Sequence, residues 1–204
     1  MKKVFLLGDS VCIHYTVYLK EYLKNKLEIV CKPGRDEALK QINCAVGACG
    51  GDSANVLQFV KEKAEKGDLD FDAFVFNCGL HDIKRKVTDE NIQVTQKEYE
   101  SNLNEIFKII KAHNKKCIFI TTTPVYEKAH NEQLPNGIKR YNDDVIKYNE
   151  IAKSAAALCD VPVIDLYSFI TKVTDGLYAD YAHFNFPTRK IQASFIAGEL
   201  LAIL

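Results

Sequence analysis

The sequence predicts a doubly wound α/β fold: one three-layer α/β/α domain over residues 1–204, built around a parallel sheet of roughly five strands. Three observations carry that expectation. Short apolar runs alternate with longer amphipathic segments along the whole chain. Five strand-like runs are separated by helical segments, and parallel neighbours need such crossovers, which leave both faces of the sheet covered. No internal repeat, linker or low-complexity stretch divides the 204 residues, a length that one core can hold.

Taken in order, "KVFLL" (Lys3–Leu7) is the first buried strand and stops at Gly8-Asp9-Ser10. "YTVYLKEYLKNKL" (Tyr15–Leu27) is a helix, "LEIVC" (Leu27–Cys31) a second strand, and Asn43–Asp52 a glycine-rich loop. From Ser53, a helix N-cap by type, Val56, Phe59, Val60 and Ala64 recur at helical spacing. "FDAFVFNC" (Phe71–Cys78) is a third strand, and Tyr99, Leu103, Ile106 and Ile110 share one face of the next helix. "KCIFITTTP" (Lys116–Pro124) is a strand closed by proline. Tyr126–Ile138, with its Pro135-Asn136-Gly137, reads as a surface loop. A helix over Asp143–Leu158, a strand over Val161–Leu166 and a loop around Asp175-Gly176 follow. A last helix runs from about Pro187 to Leu204, its proline suited to the first turn.

Composition narrows the partners. Hydrophobic residues make up 47% and charged residues 26%, ordinary for a globular protein. Lys plus Arg and Asp plus Glu both number 27, so zero net charge gives no electrostatic reason to expect nucleic acid or an anionic membrane. Seven cysteines, an odd number without a C-x-x-C pair, point to reduced thiols in a cytoplasmic protein. Cys78 and Cys117 lie in or beside apolar runs, where a thiol behaves as a small hydrophobe. The apolar part of "MKKVFLLGDS" is shorter than a signal-peptide core of ~7–15 residues, and no stretch approaches the ~18 of a membrane span.

In a doubly wound sheet, chemistry gathers at the carboxyl ends of the strands. Here those ends carry Gly8-Asp9-Ser10, "GACGGDSANV" (Gly47–Val56) and "NCGLHDIKR" (Asn77–Arg85). Asp180 and His183, in "YADYAHFNFP", stand just before the last helix. Each segment also has a plainer reading: turn residues, a helix cap, a packing histidine.

Together the segments resemble the four ordered blocks of the GDSL-type, or SGNH, hydrolase superfamily, which has a flavodoxin-like three-layer fold. Gly8-Asp9-Ser10 is similar to the first block, Gly51 within Gly50-Gly51-Asp52-Ser53 to the second. Gly79-Leu80-His81-Asp82 is similar to the third, G-x-N-D, and Asp180-Tyr181-Ala182-His183 to the fourth, D-x-x-H. The resemblance implies Ser10 as nucleophile, His183 as base and Asp180 as the carboxylate that orients it. It also implies an oxyanion hole from the N–H groups of Ser10 and Gly51 and a third-block side chain. That side chain is asparagine in the family and His81 here, a ring that donates only in the right tautomer.

The chemistry agrees with those roles. A serine hydroxyl needs a base to take its proton as it attacks, and an imidazole needs a carboxylate to fix its tautomer. Gly51 has no side chain to block a close approach. Asp9 and Asp82 are expected to hold local hydrogen bonds. Asp9 is also counted, with Tyr126 and Arg140, among candidate substrate contacts; His130 and Tyr141 border the same long loop.

Other chemistries fit less well. His14, His81, His113, His130 and His183 show no H-x-H or H-E-x-x-H spacing, so no metal is expected. "GACGGDSAN" lacks the Lys-Ser/Thr of a P-loop, so no nucleotide or flavin cofactor is expected. The expectation is therefore a cofactor-free serine esterase working through an acyl-Ser10 intermediate. The resemblance points to short acyl groups, O-acetyl esters of carbohydrates among them. Lysophospholipid or thioester hydrolysis stays open, as does a domain that binds acylated ligands without turnover.

Overall fold

The apolar runs become strands and the amphipathic segments helices. The structure is a computed structural model that describes residues 1–40, 47–173 and 176–204. Cys44, the start of the expected glycine-rich loop at 43–46, and Asp175 lie outside the described residues.

The elements in chain order are β1 (Lys2–Leu7), α1 (Ser10–Tyr22), β2 (Leu27–Val30), α2 (Arg35–Lys40), α3 (Ser53–Glu65) and β3 (Ala73–Phe76). Then come β4 (Arg85–Lys86), β5 (Asp89–Ile92), α4 (Gln96–Ala112), β6 (Lys116–Ile120), α5 (Glu127–Gln133) and β7 (Ile138–Lys139). The chain ends with α6 (Asn142–Leu158), β8 (Val163–Ile164), α7 (Leu166–Ile170) and α8 (Phe186–Ile203).

Five strands form a parallel sheet in the order β2-β1-β3-β6-β8. Every residue of β3 is fully buried, as are Val4 and Ile118–Ile120, because helices cover both faces. On one side α1 packs against α8, flanked by α2 and α7; on the other α4 lies between α3 and α6. The winding reverses at β1, whose neighbours β2 and β3 lie on opposite sides. Loops after β1 and β3 therefore leave in opposite directions and open a crevice at their carboxyl ends.

The stripe expected on α4 holds: Tyr99, Leu103, Ile106 and Ile110 are fully buried. A capping box starts this helix, with Thr95 Oγ1 accepting from Glu98 N–H and the Glu98 carboxylate accepting from Thr95 N–H.

Several parts differ from the expectation, the cap of α3 among them: Asp52, whose side chain accepts from Asn55 N–H, fills that place, and Ser53 is the first helical residue. α1 begins at Ser10 rather than Tyr15, because Asp9 caps it. The expected surface loop 126–138 contains α5, which ends where Leu134 turns left-handed at φ 47°. β4, β5 and β7 make a small antiparallel sheet, order β5-β4-β7, beside the main one. Strands of two to four residues offer too little periodicity to read. The main strands after β1 are also shorter than the apolar runs that announced them; the last keeps only Val163–Ile164.

Candidate active site

The site begins where β1 ends. A Cβ on Gly8 would sit 2.1 Å from Asn77 Oδ1 and 2.5 Å from Cys12 Cβ, so only glycine lets β1 and β3 close on each other here. Asp9 follows as N-cap, its Oδ1 accepting from the N–H groups of Val11 (3.0 Å) and Cys12 (3.2 Å). Asn77, at the end of β3, accepts from Asp9 N–H and donates to Asp9 Oδ2, tying the two strand ends together. Ser10 is the first residue of α1. Its N–H has no acceptor within the helix and lies at the positive end of the helix dipole.

From the other end of the chain comes a tight loop closed by the Tyr178–Phe184 bridge, with Ala179 N–H donating to His183 carbonyl at 2.8 Å. Asp180 Oδ1 accepts from Ala182 N–H at 2.8 Å and His183 N–H at 2.7 Å, while Oδ2 accepts from His183 Nδ1 at 2.8 Å. Nδ1 therefore carries the proton, and the bare Nε2 faces Ser10 Oγ at 2.8 Å. Burial opposes charge on Asp180, but the bonds from His183 and the two N–H groups outweigh it and hold its pKa at about 2. Asn185 then caps α8, so the helix start fixes the loop's exit. His14, one turn after Ser10, sets its ring edge against His183 at 5.1 Å; burial pushes its pKa down to about 3, which keeps it neutral.

The second and third blocks meet each other next to the end of β1. Gly50 N–H donates to Gly8 carbonyl at 2.7 Å, which pins the loop to the end of β1. Gly51 follows in the left-handed region at φ 73°, the backbone freedom for which glycine suits the position. Its N–H points to Cys49 Sγ at 3.4 Å, and His81 Nε2 lies 3.8 Å from the same sulfur. Lys84 Nζ sits 2.8 Å from His81 Nδ1. Burial, with the nearby Lys84 and Arg140 cations, pushes the His81 pKa down to about 3. Asp82 is fully buried and accepts from Ser53 N–H at 2.9 Å; burial raises its pKa to about 7.

The structure thus brings Ser10, His183 and Asp180 into one hydrogen-bond chain, and sets Gly51 N–H and His81 Nε2 against the same Cys49 sulfur. Asp9 is corrected as a substrate contact: it is 1% exposed, and its carboxylate is occupied by α1 and Asn77. Tyr126 is exposed and stacks on Tyr178 at 5.7 Å, beside a cleft of about 560 Å³ that reaches Asp180. Arg140 is only partly exposed; its Nε donates to Leu80 carbonyl at 2.6 Å and its Nη1 meets His130 Nε2 at 2.6 Å, so it braces the third block. Sequence reasoning missed Asn77, Cys49, Lys84 and His14. Only His14 had a local signal, four residues after Ser10 on one helix.

A hydroxyl, an imidazole and a carboxylate in series at the switch point of such a sheet are the working parts of a serine hydrolase. The chain belongs to the GDSL-like lipase/acylhydrolase family, whose model matches residues 4–194. Among solved structures it is similar to a lipase/acylhydrolase from Enterococcus faecalis, at 19% identity and TM-score 0.72, covering 100% of this chain and 97% of that one. It is similar to the esterase EstA from Pseudoalteromonas, solved with monoethylphosphonate as inhibitor, at 10% identity and TM-score 0.67, covering 100% and 98%. It is also similar to a mutant of Axe2, an acetyl-xylooligosaccharide esterase from Geobacillus stearmophilus, at 15% identity and TM-score 0.64, covering 98% and 94%. Likenesses at these identities establish the fold alone. No curated protein matches the sequence.

Proposed function

We propose that this chain hydrolyses carboxylic esters through an acyl-Ser10 intermediate, with short acyl groups such as acetyl on carbohydrates as the substrates. The observation that carries the reading is the pair of 2.8 Å contacts joining Ser10 Oγ to His183 Nε2 and His183 Nδ1 to Asp180. His183 takes the Ser10 proton as Oγ attacks the carbonyl carbon. It returns that proton to the leaving alcohol as the C–O bond breaks, then takes one from water, whose oxygen attacks the acyl group, and gives it to Ser10 Oγ as the acyl–Oγ bond breaks and the carboxylic acid departs. The Ser10 and Gly51 N–H groups and His81 Nε2 hold the negative oxygen of each tetrahedral intermediate.

The carbohydrate reading is supported by the stacked Tyr126–Tyr178 pair along the cleft next to Asp180, an aromatic wall with a few polar groups. The Axe2 likeness points the same way. A reducing cytoplasm as its location is supported by Cys12, Cys31, Cys49, Cys78, Cys117 and Cys159 all being unpaired. No helix among the described residues is long and apolar enough to cross a membrane.

The test is turnover of p-nitrophenyl acetate, acetylated sugars, longer-chain esters and acyl thioesters, with labelling by a serine-reactive phosphonate. Wild type should be labelled at Ser10 and prefer acetyl esters, and Ser10→Ala should lose both labelling and turnover. Labelling and turnover that survive in Ser10→Ala would end the reading. A preference for long acyl chains would move the substrate to lysophospholipids.

A further inference from the structure

We propose that Lys84 is a positioning residue: its ammonium fixes His81 as the Nε2–H tautomer and so makes that ring an oxyanion donor. An ammonium has three N–H bonds and no lone pair, so it only donates. The nitrogen it faces at 2.8 Å, His81 Nδ1, must therefore accept, and a neutral imidazole that accepts at Nδ1 carries its proton on Nε2. The surroundings keep the ring neutral, since burial and the Lys84 and Arg140 cations oppose a second proton.

The other face of the ring shows where that proton goes. Nε2 lies 3.8 Å from Cys49 Sγ, and the same sulfur stands 3.4 Å from Gly51 N. A thiol sulfur is a weak acceptor. It stands within reach of both Gly51 N–H and His81 Nε2, next to the loop that Gly50 pins to the end of β1. A carbonyl oxygen becoming negative beside that sulfur would be a far stronger acceptor than the thiol.

The third block explains why this chain needs such a residue. An asparagine amide always carries an N–H. A histidine has two neutral tautomers, and the wrong one turns a lone pair toward the oxyanion. The His-for-Asn exchange at position 81 therefore demands a group that selects the tautomer, and Lys84, three residues on, supplies it. Arg140, Cys49, Asp52 and Asp82 act electrostatically on Lys84, and Lys84, Arg140, Asp52 and His183 on His81. No carboxylate lies within 4.0 Å of Lys84 among the described residues, so its ammonium is free of an ion pair that would turn it away.

The proposal rests on the hydrolase reading for the place of the carbonyl oxygen, and its test separates the two. Lys84→Met should lower kcat roughly tenfold to a hundredfold with KM little changed, as expected when a donor felt only in the transition state is weakened. Lys84→Arg, which donates and cannot accept, should restore most of the rate. In a His81→Asn background Lys84→Met should cost less than about twofold, because the amide has no tautomer to choose. With 15N-labelled histidine, wild-type His81 should show a bare Nδ1 and a protonated Nε2, and Lys84→Met a mixture. Equal losses in both backgrounds, an unchanged kcat in Lys84→Met, or a protonated Nδ1 in wild type would each overturn the assignment. The spectrum needs no turnover: failure to cleave any ester with Nε2–H in place strikes at the hydrolase reading, not at the tautomer.

Discussion

Replacing Asp180 by asparagine should disable this site more thoroughly than its small change in shape suggests. Asp180 Oδ1 accepts two backbone N–H groups, from Ala182 and His183, at 2.8 and 2.7 Å. In Asp180→Asn the amide oxygen must take that position, since an NH2 group there would face two donors. The amide nitrogen then faces His183 Nδ1, where the carboxylate accepted at 2.8 Å. It donates, Nδ1 becomes the acceptor, and the ring proton moves to Nε2. Nε2 would now donate to Ser10 Oγ instead of accepting from it, and the base is gone. An inverted tautomer in a serine triad lowers kcat by about 10⁴, or ~5 kcal/mol of barrier at 1.36 kcal/mol per tenfold. KM should change little, and so should Tm, because the backbone contacts of the loop persist. Initial rates with p-nitrophenyl acetate at neutral pH, beside thermal unfolding, measure each quantity. Asp180→Asn retaining more than about a tenth of wild-type kcat would refute the tautomer argument, since a tenfold loss accounts for only ~1.4 kcal/mol.

Two further expectations concern the scaffold. Asp82 has a folded pKa of about 7 against 3.8 for the ordinary carboxyl, so between those values the folded state keeps a proton the unfolded chain has lost. Stability should therefore fall as pH rises from about 4 to about 7; Asp82→Asn, which keeps an acceptor for Ser53 N–H, should flatten that slope in Tm measured against pH, and an unchanged slope would assign it to other groups. Gly8→Ala would place a methyl 2.1 Å from Asn77 Oδ1, forcing apart the link between β1 and β3; an overpacking cost of about 1–3 kcal/mol should lower Tm by several degrees and kcat with it, and a variant matching wild type in both would contradict the close approach.

How much of this was legible in the sequence depends on how far each feature relies on tertiary approach. The alternation of apolar runs and amphipathic segments revealed the parallel sheet, because burial on both faces leaves a mark on every strand. Ser10, Asp180 and His183 were legible because each stands at the end of an apolar run or just before a helix. Asp9 had its signal too, an acceptor side chain ahead of a helix. Gly8-Asp9-Ser10 reads equally as a turn, and the helical pattern is taken up only at Tyr15, which displaces the start of α1. The small sheet was invisible, since Arg85–Lys86 pairs with Ile138–Lys139 across fifty residues and neither segment has a pattern.

The contacts around His81 belong to that second kind. Nothing near position 49 announces that Cys49 will reach an imidazole thirty-two residues away, and a lysine three residues after a histidine is ordinary on a polar turn. What the sequence did show was the exchange itself, a histidine where the family's block has asparagine. Such a departure has a physical consequence: a side chain that can present either a proton or a lone pair has replaced one that always presents a proton. For the oxyanion role to persist, some neighbour has to remove the ambiguity. The requirement could be stated from position 81 alone, but only the folded chain shows which groups stand at the two ring nitrogens, Lys84 at Nδ1 and Cys49 at Nε2.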